Sequence, residues 1–282
     1  MASASPSPTS RVPDLLAEIV AICKRFPLWG GVVVVAIAAF FSNPGGYADT
    51  SYALLHGLCA QTPSHTIHFG SHPLPFDARM TGIYGGFLIT FVGLLLSRRV
   101  LHYGAIPKSV IVVLVVLLLA MAADGTNSLL TDLGLWHPWT SSNSLRVITG
   151  YGVGVGLAVV LSWLLASSTW HLSRPTTGVR KVSDLWYAAA GLVAYGGLLF
   201  WSPGWLHLPI ATLLVISAWL TVTLLVLVTV LLVLKLDESV RSVAGLHVPG
   251  AMAAILAITV MIGLGSFRFW VERTLGVSNA FM

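Results

Sequence analysis

Seven apolar stretches dominate this sequence of 282 residues, and most of them approach or exceed the length that crosses a lipid bilayer. A helix needs about 20 apolar residues to span roughly 30 Å of hydrocarbon. Only 9% of the residues are charged, which is too few to solvate the surface of a soluble protein. We therefore predict an all-α, polytopic transmembrane helix bundle with about seven spans. The predicted spans are 27–43, 80–97, 109–123, 145–168, 184–203, 209–234 and 247–270.

The chain before the first span has a different character. Residues 1–12 are rich in Ser and Pro, a composition typical of a disordered tail. Over 13–26, apolar residues recur at helical spacing and two basic residues end the segment, which predicts an interfacial amphipathic helix. We divide the rest into a membrane core of spans one to four (27–168), with an excursion at 44–79, and a C-terminal three-span segment (169–282).

The distribution of basic residues predicts the orientation of the chain. If successive spans alternate in direction, connections 1–26, 98–108, 169–183 and 235–246 share one side of the bilayer. These connections hold eleven of the fifteen Lys and Arg residues. The positive-inside rule then predicts a multi-pass protein of the cell membrane with a cytoplasmic N-terminus and a non-cytoplasmic C-terminus. No basic helix or aromatic–basic stripe indicates nucleic-acid binding.

Ionisable residues at the opposite membrane face form the first candidate site. Asp124 follows a long apolar run, and a carboxylate buried there needs a cation or hydrogen-bond donors. Arg79 and Arg146 begin the second and fourth spans at the same face, and Asn127 and Asn143 would add neutral donors. Two interpretations stay open. The group is either a clasp that joins three helices or a pocket whose arginines bind the phosphate or carboxylate of a ligand.

The excursion at 44–79 contains candidate metal ligands. Its portion 48–60 is predicted to form a short helix, followed by three histidines spaced three and four residues apart. On a helix those histidines would share a face and could bind a metal ion, with Cys59 as a further ligand. A glycine and two prolines favour a loop instead, where such spacing guarantees no site. The candidate metal ligands are His65, His68, His72 and Asp77.

Alternating glycines mark the fourth span, at positions 150, 152, 154 and 156. A dinucleotide-binding fingerprint would need a preceding strand and a following acidic residue, and the sequence around these glycines has neither. Glycines four residues apart, such as Gly152 and Gly156, instead predict a helix face that a neighbouring helix approaches closely. No motif in the sequence indicates a particular cofactor.

Short motifs between the first and fourth spans follow a recognisable order. Leu-Cys-x-Gln is followed by Pro-Ser; Arg-x-Thr-Gly-Ile-Tyr then opens a span, Asp-Gly comes near the end of the next, and Asn-x-Leu-Arg with Thr-Gly opens the one after. The residues concerned are Leu58, Cys59, Gln61, Pro63, Ser64, Arg79, Thr81, Gly82, Ile83, Tyr84, Asp124, Gly125, Asn143, Leu145, Arg146, Thr149 and Gly150. Over about residues 45–160 this order resembles a prokaryotic membrane-protein family, the domain of unknown function 2085.

The chain departs from the family pattern at three positions. Ala60 stands where the family has His, and Asp77 and Met80 stand where it has two further cysteines. The family pattern would suit a thiolate–imidazole metal site or redox thiols. Only one of its three cysteines is present here. The resemblance therefore implies a membrane protein but no particular reaction.

From these observations we predict an integral membrane protein whose outer-facing polar pocket binds or moves a small or lipidic, anionic ligand. The candidate ligand-binding residues are Asp124, Arg79, Arg146, Asn127, Asn143, His56, Cys59, Gln61 and Tyr84. Two alternatives remain open. One is a structural subunit of a larger membrane complex. The other is a membrane enzyme acting on a lipid phosphate or a metal-assisted substrate, with Asp124 or His56 as the acid or base.

Overall fold

A computed structural model describes residues 46–236 and 240–276, together with Trp29. The predicted tail, the interfacial helix and, apart from Trp29, the predicted first span (27–43) lie outside the described residues. The described part contains seven α-helices, four short 3-10 helices and one β-hairpin. The helices are α1 (Gly46–Leu55), α2 (Ala78–Leu96), α3 (Lys108–Asp132), α4 (Asn143–Ser168), α5 (Trp186–Trp201), α6 (His207–Val233) and α7 (His247–Leu275).

Helices α2 to α7, some with an adjoining turn, are long and apolar enough to cross a membrane, which confirms the predicted polytopic helix bundle. They correspond to the last six predicted spans. The largest difference is in α3, which was predicted over 109–123 but continues to Asp132. The apolar stretch ends at Asp124, whereas the helix does not, because the carboxylate finds partners on neighbouring helices.

Local sequence accounts for where several helices begin and end. The Asp77 side chain accepts a hydrogen bond of 2.8 Å from Met80 N at the start of α2. Ser142 does the same for Leu145 N at the start of α4. Such caps satisfy backbone donors that have no partner within the helix. Gly276 ends α7 with a left-handed backbone (φ 64°), a conformation that glycine adopts without strain.

The spans run alternately up and down, so their connections gather at two ends of the bundle. We call the end with α1 and the β-hairpin the hairpin end. Loops 97–107 and 169–185 meet at the other, basic end. There Arg99 Nη1 lies 3.0 Å from Asp184 Oδ2, and His102 pairs with Arg174 in a short β-bridge. Two of the four connections predicted to share the basic side, 98–108 and 169–183, therefore lie at the same end of the bundle.

Glycines allow α2 and α4 to pack at close range. Gly82 and Gly86 of α2 face backbone atoms of α4, while Gly150 and Gly154 of α4 face the Arg79 and Ile83 carbonyls. A Cβ atom at any of these four positions would collide with the opposite backbone. The predicted pair Gly152 and Gly156 lies instead towards Leu117 and Leu114 of α3. Glycines of α4 thus face both of its neighbours, and the closest approach uses Gly150 and Gly154 rather than the predicted pair.

The excursion forms a β-hairpin rather than a plain loop. Strand β1 (Thr66–Phe69) pairs antiparallel with β2 (His72–Asp77), and Gly70, with φ of 62°, begins the turn. Two prolines lie in β2, which a two-stranded sheet tolerates because each strand has an unpaired outer edge. Phe69 and Phe76 are fully buried, so the hairpin seals the hairpin end with apolar side chains.

Helix α3 is the most exposed of the described spans. Its large apolar residues Val112, Val115 and Leu119 all point outward, and its main packing partner is α4. An apolar surface of this kind is stable in hydrocarbon but not in water. The helices therefore place lipid in contact with much of the protein.

Candidate functional site

The first polar group at the hairpin end, the arginine cluster, comprises Arg79, Asp124, Ser128, Arg146 and Thr149. Arg79 Nη2 donates to Asp124 Oδ2 over 2.7 Å, joining α2 to α3. Thr149 Oγ1 of α4 donates to the same oxygen over 3.2 Å. Asp124 is almost completely buried, whereas 23% of the Arg79 side chain is exposed. One carboxylate thus connects three helices.

Arg146 is held by a different set of acceptors. Its Nη2 lies 2.7 Å from Ser128 Oγ and 3.0 Å from His65 Nε2, and its Nη1 donates to Asn143 Oδ1 over 2.8 Å. The residue is only 6% exposed. Within the described part of the chain, no carboxylate makes direct contact with this guanidinium. Arg146 is therefore a buried cation supported by neutral groups, which is the costlier arrangement for a charge.

Hydrogen bonding within the arginine cluster is incomplete. Asp124 Oδ1 and Arg79 Nε are buried, and neither has a partner among the described residues. No described residue accepts a hydrogen bond from Arg79 Nη1, which lies beside Gly125. Buried polar atoms are normally paired, so unpaired ones mark a place where a further group can bind. Arg79 offers such a group donors at the edge of the cluster.

The asparagines and Tyr84 have mainly structural contacts. Asn127 Nδ2 donates to Trp139 O, and Asn127 Oδ1 accepts from Trp139 N, so this residue anchors the loop after α3. Asn143 supports Arg146 and reaches Ser64 O at 3.4 Å. Tyr84 is buried and stacks on Phe76. The structure therefore brings Asn143 to the cluster, whereas Asn127 holds the loop after α3 and the Tyr84 ring lies in the apolar core.

A second polar group, the histidine cluster, contains His56, Gln61, Arg268 and Glu272. His56 is 1% exposed, and its two ring nitrogens lie 2.8 Å from Gln61 Oε1 and 2.8 Å from Glu272 Oε2. Gln61 Nε2 faces two carbonyl oxygens, those of Tyr52 and Pro75, so its Oε1 must be the atom that faces His56. His56 Nδ1 therefore donates a hydrogen bond to Gln61 Oε1. A second proton lies between His56 Nε2 and Glu272 Oε2.

Arg268 completes the histidine cluster from α7. Its Nε donates to Glu272 Oε1 over 2.7 Å, and the two residues are four apart on the same helix face. The other guanidinium nitrogens donate to the carbonyl oxygens of His56, Cys59 and Ala60. These carbonyls follow the end of α1 and would otherwise lack partners. Arg268 thus joins α7 to the segment that leads into the hairpin.

Cys59 lies beside the histidine cluster as a buried thiol. Its Sγ accepts from Gln61 N and Asp77 N, both at 3.3 Å. Burial, followed by the charge of Asp77, raises the pKa of the Cys59 thiol to about 12. A thiol of this kind remains protonated at neutral pH, and the thiolate is the form that binds metals and attacks electrophiles. Cys59 therefore stabilises the turn between α1 and the hairpin.

The four proposed metal ligands are spread over different surroundings. His65 Nε2 contacts Arg146 and lies 3.4 Å from Asp132 Oδ1, whereas Asp77 caps α2. His68 and His72 are exposed on the two strands of the hairpin, so they do not share the face of a helix. In the described residues, no three His, Cys, Asp or Glu side chains are grouped closely enough to hold a metal ion. The structure does not bring these four residues together.

A cavity of about 390 Å³ opens between α1, the hairpin and the start of α6. We call it the hairpin cavity. Gln61 of the histidine cluster forms part of its wall, as do Tyr52 and His68. On α6, His207 Nε2 donates to Pro73 O over 3.0 Å and fixes the hairpin to the bundle. This volume lies within the range of small-molecule sites.

The segment from Cys59 through α2 and α3 into α4 contains the arginine cluster and the hairpin, and it also matches a known family. Residues 59–160 match the family model "Predicted membrane protein (DUF2085)". The resemblance expected from the short motifs is confirmed over these residues. No curated protein and no solved structure gave a significant match to the chain. Arg79, Asp124 and Arg146 lie inside the matched segment, whereas His56 and the α7 residues Arg268 and Glu272 lie outside it.

Sequence reasoning missed two partners in these clusters. The first is Ser128, which lies four residues after Asp124 and so shares its face of the helix. This spacing could have indicated that Ser128 lies near Arg146. The second is Glu272. Its contact with His56 joins residues that are 216 positions apart, and no local pattern indicates such a contact.

Proposed function

We propose that this protein is a non-enzymatic integral membrane protein that binds a small or lipidic anionic ligand at the arginine cluster. The shared chemistry of the ligand is a phosphate or carboxylate group. Arg79 presents donors that no described residue accepts from, and Arg146 lies in the same cluster without a directly bound carboxylate. The observation that supports the proposal is the set of Arg79 donors without an acceptor, next to a second guanidinium that contacts no described carboxylate directly.

The position of the cluster is consistent with a ligand that arrives from the membrane boundary. Arg79 and Arg146 begin α2 and α4, at the end of the bundle opposite the basic loops. Under the positive-inside rule this end is the non-cytoplasmic one. We propose accordingly that the protein lies in the cell membrane with the arginine cluster facing outward, where a lipid headgroup or a dissolved anion can reach Arg79.

Binding is tested with the full chain after purification. Inorganic phosphate is titrated by calorimetry in detergent, and phosphatidylglycerol retention is compared with phosphatidylcholine retention in mixed nanodiscs by mass spectrometry. Binding of phosphate indicates a dissolved anion, whereas selective retention of phosphatidylglycerol indicates a lipid headgroup. The test variant combines Arg79→Gln with Asp124→Asn, which removes the guanidinium without leaving a lone buried charge. We expect the double variant to bind at least about tenfold more weakly, a loss of about 1.4 kcal/mol.

The matched control combines Arg99→Gln with Asp184→Asn. These residues form the corresponding ion pair at the basic end, with 3.0 Å between Arg99 Nη1 and Asp184 Oδ2. The control makes the same change of charge away from the arginine cluster and is expected to bind like the wild type. If the wild type binds neither probe, or if both double variants bind equally well, the proposal is overturned.

A further inference from the structure

The hairpin cavity has an unusual balance of charge. Of the described residues that line it, Asp49 carries the only formal charge, and no lysine or arginine is present. The remaining polar groups are hydroxyls, an amide and three imidazoles. An anionic ligand would meet no permanent cation here, so the cavity differs in chemistry from the arginine cluster.

Asp49 is also the only described carboxylate without a partner. Six carboxylates lie in the described part of the chain, and the other five accept hydrogen bonds or form ion pairs. Those five are Asp77, Asp124, Asp132, Asp184 and Glu272. Asp49 lies in the first turn of α1, where its charge favours the helix N-terminus. That position leaves the carboxylate oxygens available to a ligand in the cavity.

The other groups in the cavity wall offer acceptors and π faces. His207 Nε2 faces the Pro73 carbonyl and must carry its proton, which leaves Nδ1 of the neutral ring as an acceptor. The His72 ring lies 5.3 Å from the His207 ring, centroid to centroid. Gln61 has both amide hydrogens committed to carbonyl oxygens and offers no donor. Tyr52 contributes an aromatic ring, and such a ring attracts a cation over its face.

We propose that the hairpin cavity binds a small organic cation, an amine or quaternary ammonium compound, with Asp49 as its counter-charge. A volume of about 390 Å³ admits a molecule of this class together with water. The ammonium group lies against the Asp49 carboxylate, and its alkyl groups contact Tyr52 and the hairpin prolines. The site is separate from the arginine cluster and does not depend on the function proposed there.

Choline is the probe, and its uncharged carbon analogue 3,3-dimethylbutan-1-ol is the reference. Both are titrated by calorimetry into the full chain, purified in detergent at pH 7.5. We expect choline to bind at least tenfold more tightly than the uncharged alcohol. Asp49→Asn is expected to weaken choline binding at least tenfold, while Asp184→Asn, an equal change of charge at the basic end, leaves it unchanged.

A second variant tests the cavity without altering its charge. Ala48→Phe places a large ring at the cavity wall and is expected to weaken binding of choline as much as Asp49→Asn does. The variant that combines Arg79→Gln with Asp124→Asn should retain choline binding, which separates this proposal from the previous one. Equal binding of choline and the alcohol, wild-type affinity in Asp49→Asn, or no binding of choline at millimolar concentration would each overturn the proposal.

Discussion

Asp124 and Arg79 form the ion pair that joins α2 to α3 at the hairpin end. Asp124 is buried on α3, and Arg79 reaches it from α2. Taking a carboxylate out of water is costly unless a cation and hydrogen bonds compensate for the lost hydration. The Arg79 contact and the Thr149 hydroxyl provide that compensation on one oxygen only. The pair therefore joins helices while leaving Asp124 Oδ1 and Arg79 Nε without a described partner.

This ion pair predicts unequal effects of single and double substitutions. Arg79→Gln leaves the Asp124 charge buried without a cation, and we expect it to lower the free energy of unfolding by about 3–5 kcal/mol. Adding Asp124→Asn removes that charge and should restore most of the stability. Thermal unfolding in detergent, monitored by circular dichroism, measures the stability of the single and the double variant. A double variant as unstable as Arg79→Gln alone would contradict the account.

The raised pKa of the Cys59 thiol predicts that it reacts slowly with a maleimide. Its pKa is raised to about 12 by burial and by Asp77, so the thiol stays protonated where an exposed cysteine has already ionised. At pH 8 we expect a maleimide to label Cys59 at least about 100-fold more slowly than a cysteine introduced at exposed Ser71, because only the thiolate reacts. Both rates are measured in proteins with Cys23→Ser. Equal rates would show that Cys59 is neither buried nor protonated.

At the scale of elements, the long apolar stretches predicted the helices well because each span is stabilised by its own backbone hydrogen bonds in lipid. The hairpin was predicted as a loop, since Gly70, Pro73 and Pro75 are local signals for a turn. Strand pairing depends instead on residues brought together across that turn, such as Phe69 and His72. Asp124 likewise ended an apolar stretch in the sequence without ending α3, because its compensation comes from other helices.

The packing of α2 against α4 gives a prediction for two glycines. A Cβ atom on Gly154 would collide with the Ile83 carbonyl, whereas Gly197 of α5 has no atom within 4 Å of the equivalent position. We expect Gly154→Ala to lower the free energy of unfolding by about 1–3 kcal/mol through overpacking. Gly197→Ala should be neutral or raise it by up to about 1 kcal/mol, since alanine favours a helix. Equal effects on thermal unfolding would exclude the close contact.

For the whole molecule, the sequence predicted which end of the bundle is polar but not how its groups pair. Arg79, Asp124 and Arg146 could be placed together because each lies where a span meets the same membrane face. The contact of His56 with Glu272 could not be predicted, because it depends on how α7 packs beside α1. The hairpin cavity could not be predicted from the sequence either, since its wall combines α1, the hairpin and α6.

The two ends of the bundle differ in their polar groups. The hairpin end contains both polar clusters and the cavity, and the basic end contains the paired loops after α2 and α4. If the described spans cross the bilayer, these ends lie in different compartments. The positive-inside rule further assigns the basic end to the cytoplasm.

Cysteine labelling in intact cells tests this claim most directly. In a chain with Cys23→Ser and Cys59→Ala, a single cysteine is introduced at Ser71 of the hairpin turn or at Ser97 after α2, both of which are exposed. A membrane-impermeant maleimide should label Ser71→Cys in intact cells and Ser97→Cys only after the membrane is permeabilised. Labelling of both positions in intact cells, of neither, or of Ser97→Cys alone would contradict the proposed arrangement in the membrane.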